Sequence, residues 1–550
     1  MRIKNSIFGL VLLIGLPLNA QQPSKDKGLS AISEGVIKAQ LDFLSSDWTE
    51  GRELGIAGAY MASDYIASMF KVYGLKPGGD NKPIRFNRNM SREERQNVRP
   101  EQDYFQNFQL VEYGPGVEQE LSVISTRNGS VKKSKFQYFT DFSVKPGQTA
   151  QTANSQVIFV GYGISDPENN YDDFKGIDVR DRIILRLIGF PGHLDTSSEA
   201  FNKFRKFGLD RYGRYQAKDK IASEKGVLAV IEFDPHNSIQ KGWSSNVPFR
   251  FEDNGYEGDE PFRTDVRKRL SRPNSSLGNG LLTYQITTKV FYELTADIDF
   301  RLAEFEKATQ NGIKTSIPFE LRDKSVEYST SVESRVIQAR NVVGILEGKR
   351  KDQCIVLGAH FDHLGITRQY IYNGADDNAS GVAGIMTIAK AMMATGEKPE
   401  YTMVFCAWTG EEKGLIGSAY FVDNPVIKDI KCYMNYDMIS RVALDDPNKN
   451  KCDFTFTNTV PTFQELTEKH IKEYKINLDM EYKGSEMPVG GSDFSSFSRK
   501  GIPIFLLHGK FTPDYHQYTD HSDKAEIPYL TDIIRVGFLN LFELANNYQW

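Results

Sequence analysis

Cysteine is scarce: there are four in 550 residues, at positions 354, 406, 432 and 452, with no Cys-x-x-Cys pair among them. That spacing excludes a thiolate metal site of the zinc-finger kind, and so few cysteines cannot form a disulfide framework. The even count leaves one disulfide open, although three of the four lie in or beside apolar, strand-like runs where buried free thiols are common. An excess of charge of one sign is also lacking. Lys and Arg number 67 against 72 Asp and Glu, a net charge of −5. Without a basic surplus, no nucleic-acid partner is expected. No internal repeat or low-complexity tract is evident. Beyond residue 20, no apolar run approaches the roughly 20 residues that a membrane span needs.

What is present is material for a large core. The chain is 40% hydrophobic and 25% charged, too apolar for a disordered polymer. At roughly 150 residues per domain, its length allows two to four folding units. Residues 1–20 place Arg2 and Lys4 ahead of an apolar run from Ile7 to Leu18 and end on a small residue. That is the layout of a secretory signal peptide with cleavage after Ala20, an uncleaved anchor being the alternative. No Cys follows the run, so lipid attachment is unsupported. The mature chain is expected to be exported, periplasmic or extracellular, and soluble.

Residues 30–75 carry apolar residues at helical spacing, the second helix ending at Gly74. Residues 78–104 read as a surface loop. Between about 120 and 330, short strand-like runs at 155–164, 182–189 and 226–235 alternate with polar, Gly-rich connections, and 238–280 reads as long loops. From residue 340 the pattern becomes regular. NVVGILEG (341–348), CIVLGAH (354–360), YTMVFCAWT (401–409), KCYMNYDM (431–438) and GIPIFLLH (501–508) are β-rich, with a helix at 379–395. Such alternation predicts an α/β fold, a mostly parallel central sheet flanked by helices, with a strand-rich domain inserted. The expected boundaries are a signal peptide 1–20, the first part of the main domain 21–120, the insert 121–330, and the rest of the main domain with the site, 331–550.

Six of the eight histidines, at 360, 363, 470, 508, 516 and 521, lie beyond residue 350. More telling is which polar residues follow the strands. The second run ends on His360-Phe361-Asp362, the third on Glu411-Glu412, the fourth on Asp437, and the fifth leads through His508 to His516. Ligands gather at the carboxyl ends of strands in open α/β sheets. Asp376-Asp377 stand just ahead of a helix, where the positive end of the dipole keeps a carboxylate ionised. Imidazole and carboxylate without thiolate suit zinc, with cobalt or manganese as substitutes. His360, Asp376, Glu412, Asp437 and His516 can hold two such ions with Asp376 between them. Two divalent ions, three carboxylates and one hydroxide then sum to zero charge. His508 reads as a structural residue, and His193, His236 and His470 as surface residues without convergent partners. Glu411 is the expected general base: adjacent side chains diverge, so with Glu412 on a metal its neighbour can face the bound water.

GAHFDHLG (358–365), NGADDNASG (373–381), GEEKGLIGS (410–418), NYDMI (435–439) and DYHQYTDHSDK (514–524) resemble the motif series of the co-catalytic zinc aminopeptidase family, which also contains glutamate carboxypeptidases and glutaminyl cyclases. GREL (51–54) and GLKPGG (74–79) are similar too, and the 121–330 block resembles the protease-associated domain inserted in many members. The resemblance implies a zinc-exopeptidase-like fold and two Zn2+ per chain. It assigns His360 and Asp437 to one ion, Glu412 and His516 to the other, and Asp376 to both. Asp362 would orient His360 as an outer carboxylate, and Asp377 would shape the turn. The implied activity is an exported exopeptidase, foremost an aminopeptidase acting on peptide substrates through a metal-bound hydroxide, with Glu411 as base. A carboxypeptidase or dipeptidase is the nearest alternative. A glutaminyl cyclase would use a single zinc, and a silent binding protein would have lost ligands. The sequence departs from the family at Ser440, where a Gly is usual, at Phe494 in place of the His of Ser-Asp-His, and at His521-Ser522, where Thr-Pro is common. Oligomeric state, monomer or dimer, is left open.

Overall fold

The computed structural model describes residues 24–82, 91, 100–138, 140–145, 149–208, 216–236, 269–273, 281–296, 298–310, 318–367 and 370–550. The expected signal peptide and most of the expected loops at 78–104 and 238–280 lie outside them. The chain divides into two compact units, one made of the residues up to Phe108 together with Gln338–Trp550, the other of Gln109–Ile337.

In the first unit the strands run in the order Asp479–Ser485, Lys451–Thr457, Ile504–His508, Asp429–Tyr436, Arg350–His360, Tyr401–Trp408, and then 342–346. The four from Ile504–His508 to Tyr401–Trp408 are mutually parallel. Tyr401–Trp408 is buried at every residue, as expected where helices cover both faces of a sheet. Alternate residues serve opposite layers. Ile355, Leu357 and Phe405 pack with Ile66, Phe70, Met386 and Ile534 of the helices Ala57–Tyr73, Gly381–Ala394 and Ile527–Asn546. Val356, Cys406 and Trp408 pack with Phe421 and Phe497 of the helices Ile416–Asp423 and Phe494–Ser498. The α/β fold class is therefore as expected. Ala57–Tyr73 ends on Gly74 in the left-handed conformation (φ 90) that glycine adopts at no steric cost. All four cysteines are buried and unpaired.

His470 departs from expectation. It is buried, and Nδ1 lies 2.8 Å from Asn540 Oδ1 of the last helix. It shares the inward stripe of Thr462–Tyr474 with Phe463 and Thr467.

The second unit has its own core. Gln151–Phe159, Ile183–Leu187, Ala229–Phe233 and Leu282–Ile286 form a parallel sheet, edged by the antiparallel strand Phe142–Lys145. Apolar residues of these strands, including Val157, Leu185, Ile231 and Tyr284, pack together. Buried Arg186 pairs with buried Glu232 and with Asp219.

Candidate metal centre

The parallel strands of the first unit end side by side. Arg350–His360 delivers His360, and the turn after Tyr401–Trp408 carries Glu411 and Glu412. Asp437 follows Asp429–Tyr436, and the loop beyond Ile504–His508 bears His516. The segment 375–380, ahead of helix Gly381–Ala394, is pinned to this edge by Asn378. Its side-chain amide donates to Tyr436 O at 3.0 Å, and its Oδ1 accepts from the amides of Gly381 at 3.0 Å and Met438 at 3.2 Å. The Asp377–Asn378 peptide is cis. Fully buried Arg52, within the GREL motif, donates to the carbonyls of Phe361, Asn373 and Gly374 and so joins two of these loops. Burial lowers its guanidinium to about 10, against the opposing pull of Asp377 and Asp520.

Two donor clusters result, and they share one carboxylate. His360 Nε2 lies 3.4 Å from Asp377 Oδ1 and 3.4 Å from Asp437 Oδ1. His516 Nε2 lies 3.1 Å from Asp377 Oδ2 and 3.3 Å from Glu412 Oε2. Asp377 thus turns one oxygen toward each group. The ligand atoms of His360, Asp377 and Asp437 lie within 4.8 Å of one another, as do those of His363, Asp377 and Glu412.

The shared carboxylate is Asp377, whereas the expected one was Asp376. Asp376 is equally buried but faces away, its Oδ1 accepting from both the amide and the hydroxyl of Ser440 at 2.8 Å. Its own amide, with that of Asp377, donates to the Asp520 carboxylate. The two neighbours have therefore exchanged the expected roles: Asp376 braces the turn and Asp377 faces the centre. Ser440, the departure from the family glycine, is what holds Asp376 there. Asp362 also acts differently than expected. Its carbonyl, 3.1 Å from His360 Nδ1, orients the imidazole, while its carboxylate is 4.0 Å from that nitrogen and accepts from the Glu411 amide at 3.0 Å.

His363 had no role from sequence. It is buried, and Nδ1 lies 2.8 Å from Glu412 Oε1. Its signal was its spacing, a second imidazole three residues past His360 at the same strand end. His516 is held with a left-handed backbone (φ 56), as is Met438 (φ 54) beside Asp437. Non-glycine residues adopt that conformation rarely, and where they do the surroundings enforce it. His508 belongs to neither cluster, and its Nδ1 lies 2.7 Å from Gly509 O.

The electrostatics suit cations. Burial alone would lower His516, but Glu412 and Asp377 outweigh it and raise the imidazole to about 10. Burial is likewise overcome at His360, which Glu411 and Asp437 hold well above its ordinary range. Burial would raise Glu412 and Asp437, but His516 holds the first well below the carboxylate range and His360 lowers the second. Glu411 is pushed well up by burial, which outweighs the pull of His360. So many buried carboxylates facing imidazoles fit divalent cations, which would replace the imidazolium protons as counter-charge. Oxygen and nitrogen donors without thiolate fit zinc.

A parallel sheet that gathers imidazoles and carboxylates around one shared carboxylate defines an α/β protein with a candidate metal centre. Residues 341–537 match the model of Peptidase family M28, and that part of the chain is similar to the family. Leucine aminopeptidase 2 of Trichophyton equinum is 29% identical over 166 residues, 30% of this chain and 32% of that protein. A glutamate carboxypeptidase 2 homolog of Caenorhabditis elegans is 41% identical, covering 52% of this chain and 38% of its own length. The chain spans about a third of the length of the curated relatives it matches. Among solved structures, an aminopeptidase from Aneurinibacillus sp. strain AM-1 shares the fold with a TM-score of 0.55 at 18% identity, over 96% of this chain and 97% of that one. A zinc aminopeptidase from Bacillus subtilis does so with a TM-score of 0.50 at 17% identity, over 94% and 97%.

Proposed function

We propose that this chain is a two-zinc exopeptidase that removes N-terminal residues from peptides. The observation that carries this is the pair of donor clusters sharing Asp377, with Glu411 beside them. His360 and Asp437 would hold one ion, Glu412 and His516 the other, and Asp377 both, with cobalt or manganese as substitutes. His363 would fix Glu412 by donating to Oε1, leaving Oε2 for the ion. When bound, the ions would polarise the scissile carbonyl and acidify the attacking water. Glu411 takes that water's proton and returns it to the leaving amine nitrogen, a task suited to a carboxyl lifted by burial. Glu411→Gln should lower turnover by about 10² to 10⁴-fold with zinc content unchanged; retained activity would refute the base.

The leucine aminopeptidase relatives support removal from the N-terminus. The glutamate carboxypeptidase homolog supports the opposite polarity as a second reading. Comparing free, N-acetylated and C-amidated peptides separates them, since an aminopeptidase rejects the acetylated substrate and a carboxypeptidase the amidated one. Among the described residues no helix is long and apolar enough to cross a membrane. We propose export with removal of residues 1–20, and a protease-associated character for the inserted unit.

A further inference from the structure

Two loops of the first unit start from the metal centre and meet in a pair of half-exposed tyrosines. The first is the hairpin of Gly365–Thr367 and Tyr370–Tyr372, which begins two residues past His363 and ends just before Asn373. Its base is clamped. At Gly51 a Cβ would stand 2.5 Å from Gly365 O and 2.6 Å from Tyr372 O, and Arg52 holds the carbonyls of Asn373 and Gly374. The second is the loop carrying His516, fixed where Asp520 accepts from the amides of Asp376 and Asp377. Tyr370 of the one stacks on Tyr518 of the other, ring centroids 4.3 Å apart and planes 26° apart. The two residues are 52% and 42% exposed.

The stack stands on the accessible side of the centre. Among the residues of the two contacts that Asp377 joins, the His516 side chain is 20% exposed, whereas those of His360, Asp377, Glu412 and Asp437 are at 10% or less. Solvent therefore reaches the centre from the side of His516, and Tyr518 lies two residues beyond it on the same loop. An aromatic surface ordered by stacking and left partly in water is a ready contact for an apolar group. Tyrosine suits such a rim, since its ring offers apolar faces while its hydroxyl stays hydrated. An exopeptidase that removes one terminal residue encloses that residue at the inner end of its site, and the rest of the peptide leaves through the opening. The side chain that meets a wall at the opening is then that of the second residue, just past the scissile bond.

We propose that Tyr370 and Tyr518 form an aromatic wall that receives the side chain of the substrate's second residue and favours an aromatic or large aliphatic group there. This rests on the reading of the chain as an exopeptidase that acts from the N-terminus.

The test compares the zinc-loaded full-length chain on two dipeptides, Leu-Phe and Leu-Ala, which differ only past the bond that is cut. The unaltered chain should prefer Leu-Phe in kcat/KM. Tyr518→Ala should reduce that preference by about 2- to 10-fold, the worth of an aromatic contact, and Tyr518→Phe, which keeps the ring, should retain it. Tyr370→Ala should act in the same direction, and adding it to Tyr518→Ala should cost less than the sum, since each ring supports the other. Binding should follow. In the Glu411→Gln chain, where turnover is suppressed, Tyr518→Ala should narrow the ratio of the two dissociation constants, read by calorimetry, by the same factor. Should Tyr518→Ala fail to fold, Tyr370→Ala carries both measurements. If the unaltered chain cleaves neither dipeptide, the exopeptidase reading falls and the wall with it. Cleavage of both without preference for Leu-Phe, a ratio unmoved in the variants, or a loss shared equally by the two dipeptides overturns the wall alone.

Discussion

Asp376 and Asp377 are adjacent, equally buried and chemically identical, yet they serve opposite neighbours. Asp376 turns Oδ1 to the amide and hydroxyl of Ser440, whereas Asp377 meets His360 and His516 across its two oxygens. Asparagine distinguishes them. At 376 it keeps an oxygen for the Ser440 donors, so Asp376→Asn should retain both metal equivalents and lose at most about 2 kcal/mol of stability. Asp377→Asn removes the charge that both proposed ions would share and should lose at least one equivalent, as elemental analysis after dialysis would report. The reverse pattern would reinstate Asp376 as the bridge. From sequence, a carboxylate at this turn was legible, as were His360, Glu412, Asp437 and His516, because each directly follows a strand or lies in the loop after one. Which of two successive aspartates faces inward was not, since that depends on the backbone path through 374–381 and on Ser440, some 60 residues away. The family pattern offered a role for each of them, and the geometry exchanges the two.

At the scale of elements, the centre is a meeting of loops, and something must hold those loops together before any ion arrives. Arg441 lies four residues past Asp437, and Asp514 two residues before His516; Arg441 Nη2 lies 3.0 Å from Asp514 Oδ2, and both side chains are largely buried. Thr519 and Lys524 also donate to Asp514. The pair therefore joins the loop of one cluster to the loop of the other. Arg441→Met should leave Asp514 with its two remaining donors and cost about 2 kcal/mol by urea denaturation. It should also weaken the zinc equivalent that includes His516, and a stability loss with zinc affinity intact would make the pair merely structural. Elements differ in how legible they were. The central strands announced themselves as continuous apolar runs, because helices bury both of their faces. Lys451–Thr457 buries its residues in alternation, and the outer strand Asp479–Ser485 is largely exposed. Neither forms the apolar run that marks a central strand. The helix Thr462–Tyr474 is polar enough to pass for surface, and its one buried histidine is explained only by Asn540 on the distant last helix.

For the molecule as a whole, the centre couples metal, protons and folding. In the metal-free chain, His516 holds its proton up to about 10, and His360 is likewise held well above its ordinary range. Both imidazoles are therefore protonated at neutral pH, yet only a neutral imidazole can bind a cation. Loading two zinc ions should then expel about two protons from these residues. The sign follows: with both folded-state values raised, zinc affinity should climb as pH increases from 6 to 8, by up to about 1.4 kcal/mol per proton released and pH unit. Calorimetric zinc titrations in two buffers of different ionisation enthalpy would count the protons directly. His516→Ala should reduce the count by one. Because the proposed ions would bind only where 360, 377, 412, 437 and 516 are brought together, their affinity would also be folding stability. Chelation should lower the unfolding temperature, and the midpoint should rise with free zinc. A proton count near zero would mean that the carboxylates do not hold these imidazoles charged, and the electrostatic description of the centre would have to be replaced.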